Sequence, residues 1–335
     1  MTAMTGSSSI DLSLTNLWRS WRAFRRGKQP SRAVMAFESE LETNLLRLCA
    51  DLNNGQYRHG SYDHKIVSEK KRRDIAVANV RDRVVHRLMY DYLVPLVDPR
   101  LDFDVWSCRP GKGLHAALRR TSRLMTDYSG AWLWRADVSK FFDHIDHQVL
   151  KSCLQRIVSD PPARDLLDKV IDSYENAVSQ SVSQSVSQSV SQSVSQSVSQ
   201  GIPIGNLTSQ IFANIYLNEF DRYARHILKP LAYVRYGDDF VLFFRDRPAA
   251  IVARQIATLW LSNKLSLKVH KKNDVIIRAR HGVHFLGHNL YPRQLPVIDK
   301  TMSRKINKSI NSRNASSYRA MHLSYKQARQ LPWLL

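Results

Sequence analysis

Tyr236-Gly237-Asp238-Asp239 stands between two apolar runs, Ala232-Tyr233-Val234-Arg235 and Phe240-Val241-Leu242-Phe243-Phe244, which predicts two adjacent carboxylates at the tip of a β-hairpin. Adjacent acids repel, and a fold that keeps them together usually neutralises them with cations. A polar Gly-Asp-Asp turn is the plainer account of such a tripeptide. A third acid separates the two accounts. Residues 131–137, Ala-Trp-Leu-Trp-Arg-Ala-Asp, read as a strand that delivers Asp137. Phosphoryl or nucleotidyl transfer with two metals uses about three carboxylates around ions ~4 Å apart, which stabilise the attacking and leaving oxygens together. Asp137, Asp238 and Asp239 supply that set.

The elements that must position these acids follow from periodicity. Residues 1–17, rich in Ser and Thr, read as disordered. Ala33, Phe37, Leu41, Leu45, Leu48 and Leu52 recur at helical spacing up to the stop signal Asn53-Asn54-Gly55. Strands near 64–68 and 74–79 flank the basic turn Lys70-Lys71-Arg72-Arg73. Helices are predicted at 81–93, stopping at Pro95, and at 113–127. A helix begins near Ile145 and another ends near Tyr174. Residues 177–200 are Ala-Val-Ser-Gln and five copies of Ser-Val-Ser-Gln, with no charge and no aromatic ring. That tract reads as a low-complexity insertion. Beyond it come a helix over 206–226, the hairpin of 231–244, a helix over 248–263 and strands near 274–279 and 283–287. The order predicts an α+β fold with an antiparallel sheet.

Six motifs in this order resemble those of reverse transcriptases. They are Arg81-Asp-Arg-Val-Val-His86, Arg109-Pro-Gly-Lys-Gly113, Asp137-Val-Ser-Lys-Phe-Phe142, Gln200-Gly201-Ile-Pro-Ile-Gly205-Asn-Leu-Thr-Ser209-Gln210, Tyr236-Gly-Asp-Asp239 and Phe285-Leu286-Gly287. The resemblance covers residues 31 to about 300. It implies a right-hand polymerase with fingers over 18–130, a palm over 131–299 that carries the 177–200 insertion, and a short basic thumb over 300–335. Ser209-Gln210, where intron-type enzymes and retrons carry Ser-Pro, resembles the enzymes of diversity-generating retroelements, which copy a template RNA with frequent errors opposite adenine. Gly237 and the Gln200-Gly201 pair depart from the usual pattern of that group. Enzymes of introns, retrons or phage-defence systems form the alternative. A basic RNA-binding scaffold that has lost catalysis is a third reading, against which the repelling acids stand.

The resemblance also implies roles. Asp137, Asp238, Asp239 and the backbone carbonyl of Val138 would bind two Mg²⁺ ions, with Mn²⁺ as a substitute, and Asp239 would lie nearer the primer. Lys71, Arg73, Arg81, Gln200, Gly201 and Lys271 would meet the incoming deoxynucleotide. Phe142, five residues after Asp137, takes the position of a ring that blocks a ribose 2′-hydroxyl; core packing is the rival account of the Phe141-Phe142 pair. Ser209, Gln210, Phe285, Leu286 and Gly287 would hold template and primer. Implied partners are template RNA, primer, cDNA, deoxynucleoside triphosphates and a basic accessory protein.

Composition agrees with a polyanionic partner. The 335-residue chain carries a formal net charge of +21, and its isoelectric point is near 10.1. Residues 301–335 hold seven Lys or Arg and no acid, and 18–32 hold six with none, so both ends are basic. The opening segment lacks the charged start and apolar core of a signal peptide, and no apolar run spans a membrane, so the expected location is the cytoplasm. Three scattered cysteines suit reduced thiols. His281, His284 and His288 lack an accompanying cysteine and make a weak case for zinc. Arg109-Pro-Gly-Lys-Gly113 is too short for a phosphate-binding P-loop.

Overall fold

In the computed structural model, described residues are 9–27, 29, 31–68, 72–185, 199–294 and 296–298. The chain begins with α1 (Leu14–Arg25), α2 (Arg32–Ser39) and α3 (Leu41–Asn53), followed by a hairpin of β1 (Tyr62–Ser68) and β2 (Arg72–Ala78), then α4 (Val80–Val97) and α5 (Leu114–Asp127). Polar side chains cap the starts of α1, α2 and α4. Ser13 accepts from the Asn16 amide at 3.3 Å and Asn79 from the Asp82 amide at 2.9 Å. Leu17, Trp21 and Phe24 of α1 are buried in the main core, so order begins inside the segment expected to be disordered. Ser13 followed by apolar residues at helical spacing was the available signal.

The long helix expected from Ser31 to Asn53 is two helices. The chain bends at Glu40 (φ −124°, ψ 36°), and the bend lets Phe37 of α2 meet Trp21 of α1, ring centroids 5.1 Å apart, while Leu45 and Leu48 of α3 join the same core. α4 runs through Pro95 instead of stopping before it. Pro95 faces solvent, where water replaces the lost helical hydrogen bond, and Leu93 and Val97 on either side remain buried.

The segment expected to form the palm follows as β3 (Trp132–Asp137), α6 (His147–Gln155), α7 (Pro161–Ser185), α8 (Leu207–Tyr223), β4 (Ala232–Tyr236), β5 (Asp239–Phe244), α9 (Arg247–Leu265) and β6 (Val275–Arg278). Its antiparallel sheet has the order β4-β5-β3-β6. Side-chain alternation divides the sheet between two cores. Trp134, Tyr233, Phe240 and Leu242 face α8 and α9, whereas Leu133, Val234, Val241 and Phe243 face α5 and a second, three-stranded sheet. Burial on both faces accounts for the unbroken apolar run 240–244.

That second sheet consists of β7 (Val283–Phe285), β8 (His288–Leu290) and β9 (Val297–Ile298), so the strand expected at 283–287 belongs to it and not to the palm sheet. α7 extends past the expected end at Tyr174 into the repeat as far as Ser185, because adding residues to an existing helix costs far less than nucleating one. The rest of the repeat to 198, and the expected thumb over 300–335, lie outside the described residues. All three cysteines are free; Cys153 is buried, Cys49 half-buried and Cys108 exposed.

Candidate active site

Asp137 ends β3 and Asp239 begins β5, and the two are directly opposite in the antiparallel register. Between β4 and β5 the chain turns on Gly237 and Asp238. Gly237 takes a φ of +65°, which suits glycine at a tight hairpin turn. The Val138 amide donates to the Asp238 carbonyl at 3.3 Å, tying the turn to the end of β3. On the far side, the His270 amide donates to the Asp137 carbonyl at 2.8 Å and Asn273 Nδ2 donates to Asp137 Oδ2 at 2.9 Å. The three acids therefore share one end of the sheet, as the sequence predicted.

Their carboxylates are not equivalent. Asp137 Oδ1 is buried with no hydrogen-bond partner among the described residues. An orphaned carboxylate oxygen suits a hard divalent ion, which takes oxygen ligands. Asp239 instead receives a bidentate pair from Arg135, with Nε at 3.0 Å and Nη2 at 2.7 Å. Burial lifts its pKa to about 7; Arg135 opposes the rise, and Asp137 and Asp238 add to it. Among the described residues no three His, Cys, Asp or Glu side chains already surround one point. The donors fit a metal at Asp137 and the adjoining turn, and Asp239 joins such a set only by exchanging Arg135 for the ion.

The hairpin rests on a buried polar network that the motif reading missed. Arg235 is fully buried and donates from Nε and Nη2 to Asp221 of α8 at 2.7 and 2.6 Å. Its Nη1 donates to the Gly237 carbonyl at 2.9 Å and to Asn214 Oδ1 at 3.1 Å. Tyr233 donates to Asp221 at 2.5 Å, and Ser107 Oγ accepts from the Gly237 amide at 2.8 Å. One guanidinium thus joins α8 to the turn that carries Asp238. The available signal was a charge at the centre of an apolar strand, two residues from Tyr233 on the same face, which demands a buried acid.

A backbone ribbon assembles the expected nucleotide side. The Gly201 amide donates to the Ile145 carbonyl at 2.8 Å, the Ile202 amide to the Phe142 carbonyl at 2.9 Å, and the His147 amide to the Ser199 carbonyl at 3.1 Å. Gln200 bridges Asp146. His147, the first residue of α6, is buried; its Nε2 donates to the Gly201 carbonyl at 2.6 Å and its Nδ1 accepts from Ser199 Oγ at 2.5 Å. Gly201 has φ +94°, and a Cβ there would stand 3.2 Å from the Tyr174 ring, so both conformation and space require glycine. Phe141 is buried in the main core, and Phe142 is half-buried and packs against the same core.

The expected cations are less united. Lys271 is exposed in the turn whose neighbours His270 and Asn273 bind Asp137. Arg81 is committed elsewhere: Nη2 donates to Asp51 at 2.6 Å, and the guanidinium lies over Tyr57, 5.0 Å from the ring centroid. Arg73 lies in β2 opposite Val67, and Lys71 falls outside the described residues. Of the template and primer set, Ser209 is buried in α8 and Gln210 exposed. Phe285 is buried beneath the palm sheet, and Leu286 and Gly287, with φ of 52° and 77°, form the turn between β7 and β8.

An antiparallel palm sheet with acids on adjoining strand ends, fed by helical fingers, is the arrangement of right-hand polymerases. The chain belongs to the reverse transcriptase (RNA-dependent DNA polymerase) family, whose sequence profile matches residues 62–290. It is 27% identical over 258 residues to Protein YkfC of Escherichia coli (strain K12), covering 67% of this chain and 64% of that protein. It is 19% identical over 340 residues to the group II intron-encoded protein LtrA of Lactococcus lactis subsp. cremoris, covering 80% of this chain and 54% of the relative. A shorter match, 32% identical over 88 residues, joins it to Nuclear intron maturase 1, mitochondrial, of Arabidopsis thaliana, covering 26% of this chain and 12% of that protein. The chain thus spans less than two thirds of the length of each of these relatives. No described helix is long and apolar enough to cross a membrane.

Proposed function

We propose that the chain is an RNA-directed DNA polymerase that extends a primer on a template RNA by nucleotidyl transfer. The observation that carries this reading is the meeting of Asp137 with the Gly237-Asp238-Asp239 turn, with one buried Asp137 oxygen left for a cation. Two bound Mg²⁺ ions would supply activation of the primer hydroxyl and charge neutralisation at the leaving pyrophosphate. Asp137 and Asp238 are the residues placed to hold them, with the Val138 backbone alongside and Asp239 recruited from Arg135. Arg235 and Ser107 fix the turn from behind, so the acids need little reorganisation when substrate arrives. The Gln200-Gly201 ribbon, stitched to the carbonyls of Phe142 and Ile145, forms the nucleotide platform. Lys271 stands at the exposed turn beside Asp137, where it would donate a proton to pyrophosphate.

Phe142 is assigned as the ring that excludes a ribose 2′-hydroxyl, its half-buried position leaving one face available. Phe142→Ala should then admit ribonucleotides, and unchanged sugar selectivity would remove that role.

For biological setting, the motif run from Gly205 to Gln210 favours an error-prone enzyme of a diversity-generating retroelement, working with a basic accessory protein. The relatives named for group II introns and for an intron maturase favour the second reading, an intron-type enzyme. One assay addresses both the chemistry and the setting. Purified protein receives a primed RNA of mixed sequence, Mg²⁺ and four deoxynucleotides, beside an Asp238→Ala, Asp239→Ala control. Errors concentrated opposite template adenine support the first reading and accurate copying the second. Extension no greater than the control rejects the polymerase.

A further inference from the structure

Asp137 is the acid whose two oxygens have the most unequal surroundings. Oδ1 is buried with no partner among the described residues, whereas Oδ2 accepts from Asn273 Nδ2 at 2.9 Å. Asn273 belongs to none of the six motifs. A carboxylate needs a donor, so the amide nitrogen and not the amide oxygen must face it, which fixes the flip of the side chain.

The contact is built from the main chain outward. The Ser139 amide donates to the Lys268 carbonyl at 2.8 Å, the His270 amide to the Asp137 carbonyl at 2.8 Å, and the Asn273 amide to the His270 carbonyl at 3.0 Å. Val138 bridges Val269. The segment 268–273 is thereby laced to the end of β3. Asp274 anchors it from the other side: Oδ1 accepts from the indole of Trp134 at 2.8 Å, and Oδ2 accepts from Arg254 Nε of α9 at 2.8 Å. Trp134 is fully buried and lies in β3 with Asp137, so the strand that carries the acid also carries the anchor of the acid's partner. Asn273 is held in place from both neighbours in the chain.

A hydrogen bond on Oδ2 draws on an electron pair that chelation through both oxygens would use, and it leaves Oδ1 as the open donor. Divalent ions differ in what they ask of a carboxylate. Mg²⁺ is small, demands near-octahedral geometry and keeps several waters, so one oxygen from each carboxylate serves it; Ca²⁺ is larger, takes more oxygens and accepts carboxylates through both. Groups that orient metal ligands from behind commonly change affinity by about ten- to a hundredfold.

We propose that Asn273 is a specificity-determining residue: by holding Asp137 Oδ2 it presents the carboxylate to the metal through Oδ1 alone, and so favours Mg²⁺ over Ca²⁺. The assignment rests on the metal-dependent polymerase reading given above. It adds a choice of ion made outside the three acids, by a residue that acts through Asp137 and is therefore a positioning residue.

Free Mn²⁺ measured by electron paramagnetic resonance, with Mg²⁺ or Ca²⁺ as competitor, reads the site in the full chain without primer, template or deoxynucleotide. Asn273→Ala should weaken Mg²⁺ while leaving Ca²⁺ equal or tighter, so that the preference for Mg²⁺ falls by about tenfold. A merely structural loss would weaken both ions alike. That outcome overturns the proposal, and so does an unchanged affinity for each. Infrared difference spectra of the wild type on adding Mg²⁺ need no variant to fold. A carboxylate bound through one oxygen separates its two C–O stretching bands more widely than one bound through both, and bands lost in Asp137→Asn belong to Asp137. Widely separated bands support the assignment, and closely spaced ones overturn it. A wild type that binds Mn²⁺ no better than Asp137→Asn removes the metal site, and with it both the proposal and the polymerase reading. A bound ion whose preference ignores Asn273 removes the proposal alone.

Discussion

At the sheet end, acids are held by bonded groups, buried except for the half-buried Asn273: Arg135 on Asp239, Asn273 on Asp137, and Arg235 with Ser107 behind Gly237. At the seam of α1, α4 and α8, guanidiniums stand around open space with looser ties: Arg83 Nε reaches the Asn79 carbonyl at 3.4 Å, and Arg87 a surface Asp91. The first region holds its acids by several hydrogen bonds at once, as preorganised chemistry at a reacting oxygen requires. The second offers charge without a single geometry. Tight bonding surrounds the acids, and looser contacts surround the cations.

Four changes test that contrast, taken from the largest expected effect. Asp137→Asn should lower primer extension by about a thousandfold or more while leaving RNA binding in place, as seen by parallel extension and anisotropy. Arg235→Met strands Asp221 in the core, so urea unfolding should show a loss of about 3–5 kcal/mol, and adding Asp221→Leu should recover most of it. Equal losses in the single and double variants would show that the pair is not coupled.

The third change concerns pH. The raised pKa of Asp239, about 7 against about 3.9 in an unfolded chain, means that the neutral carboxyl's contribution to stability is complete below pH ~4 and lost as pH rises through 7. In chelator-treated protein the melting temperature should therefore fall more between pH 5 and pH 8 for the wild type than for Asp239→Asn, by about 2–4 °C. Parallel curves would deny the burial effect. The smallest effect belongs to the seam of the three helices: Arg87→Gln should change unfolding free energy by no more than about 0.5 kcal/mol, because its pair with Asp91 is a solvent-screened i,i+4 contact. A loss comparable to that at Arg235 would erase the distinction between the two regions.

Much of this architecture was legible as pattern. The apolar runs on either side of Gly237-Asp238-Asp239 could only be a buried hairpin, and the strand ending at Asp137 paired with it in the register that brings the acids together. What escaped was set by partners distant in sequence. Arg135 meets Asp239 because β3 lies diagonally beside β5, and Arg235 meets Asp221 because α8 crosses that face of the sheet. Neither follows from spacing. Arg81 has a partner its motif did not announce, Asp51 on a neighbouring helix. α1 was hidden by reading Ser and Thr as disorder although Ser13 is its cap.

The ribbon from Ser199 to Ile202 has an evolutionary consequence. Each Ser-Val-Ser-Gln unit ahead of it is a whole number of codons, and slippage during DNA copying gains or loses such units without disturbing the reading frame. Four backbone hydrogen bonds and bridges to 142–147, with His147 at their centre, secure the chain downstream of the tract whatever its length. A change in copy number should then leave the register of Gln200 on Asp146 and Gly201 on Ile145 intact.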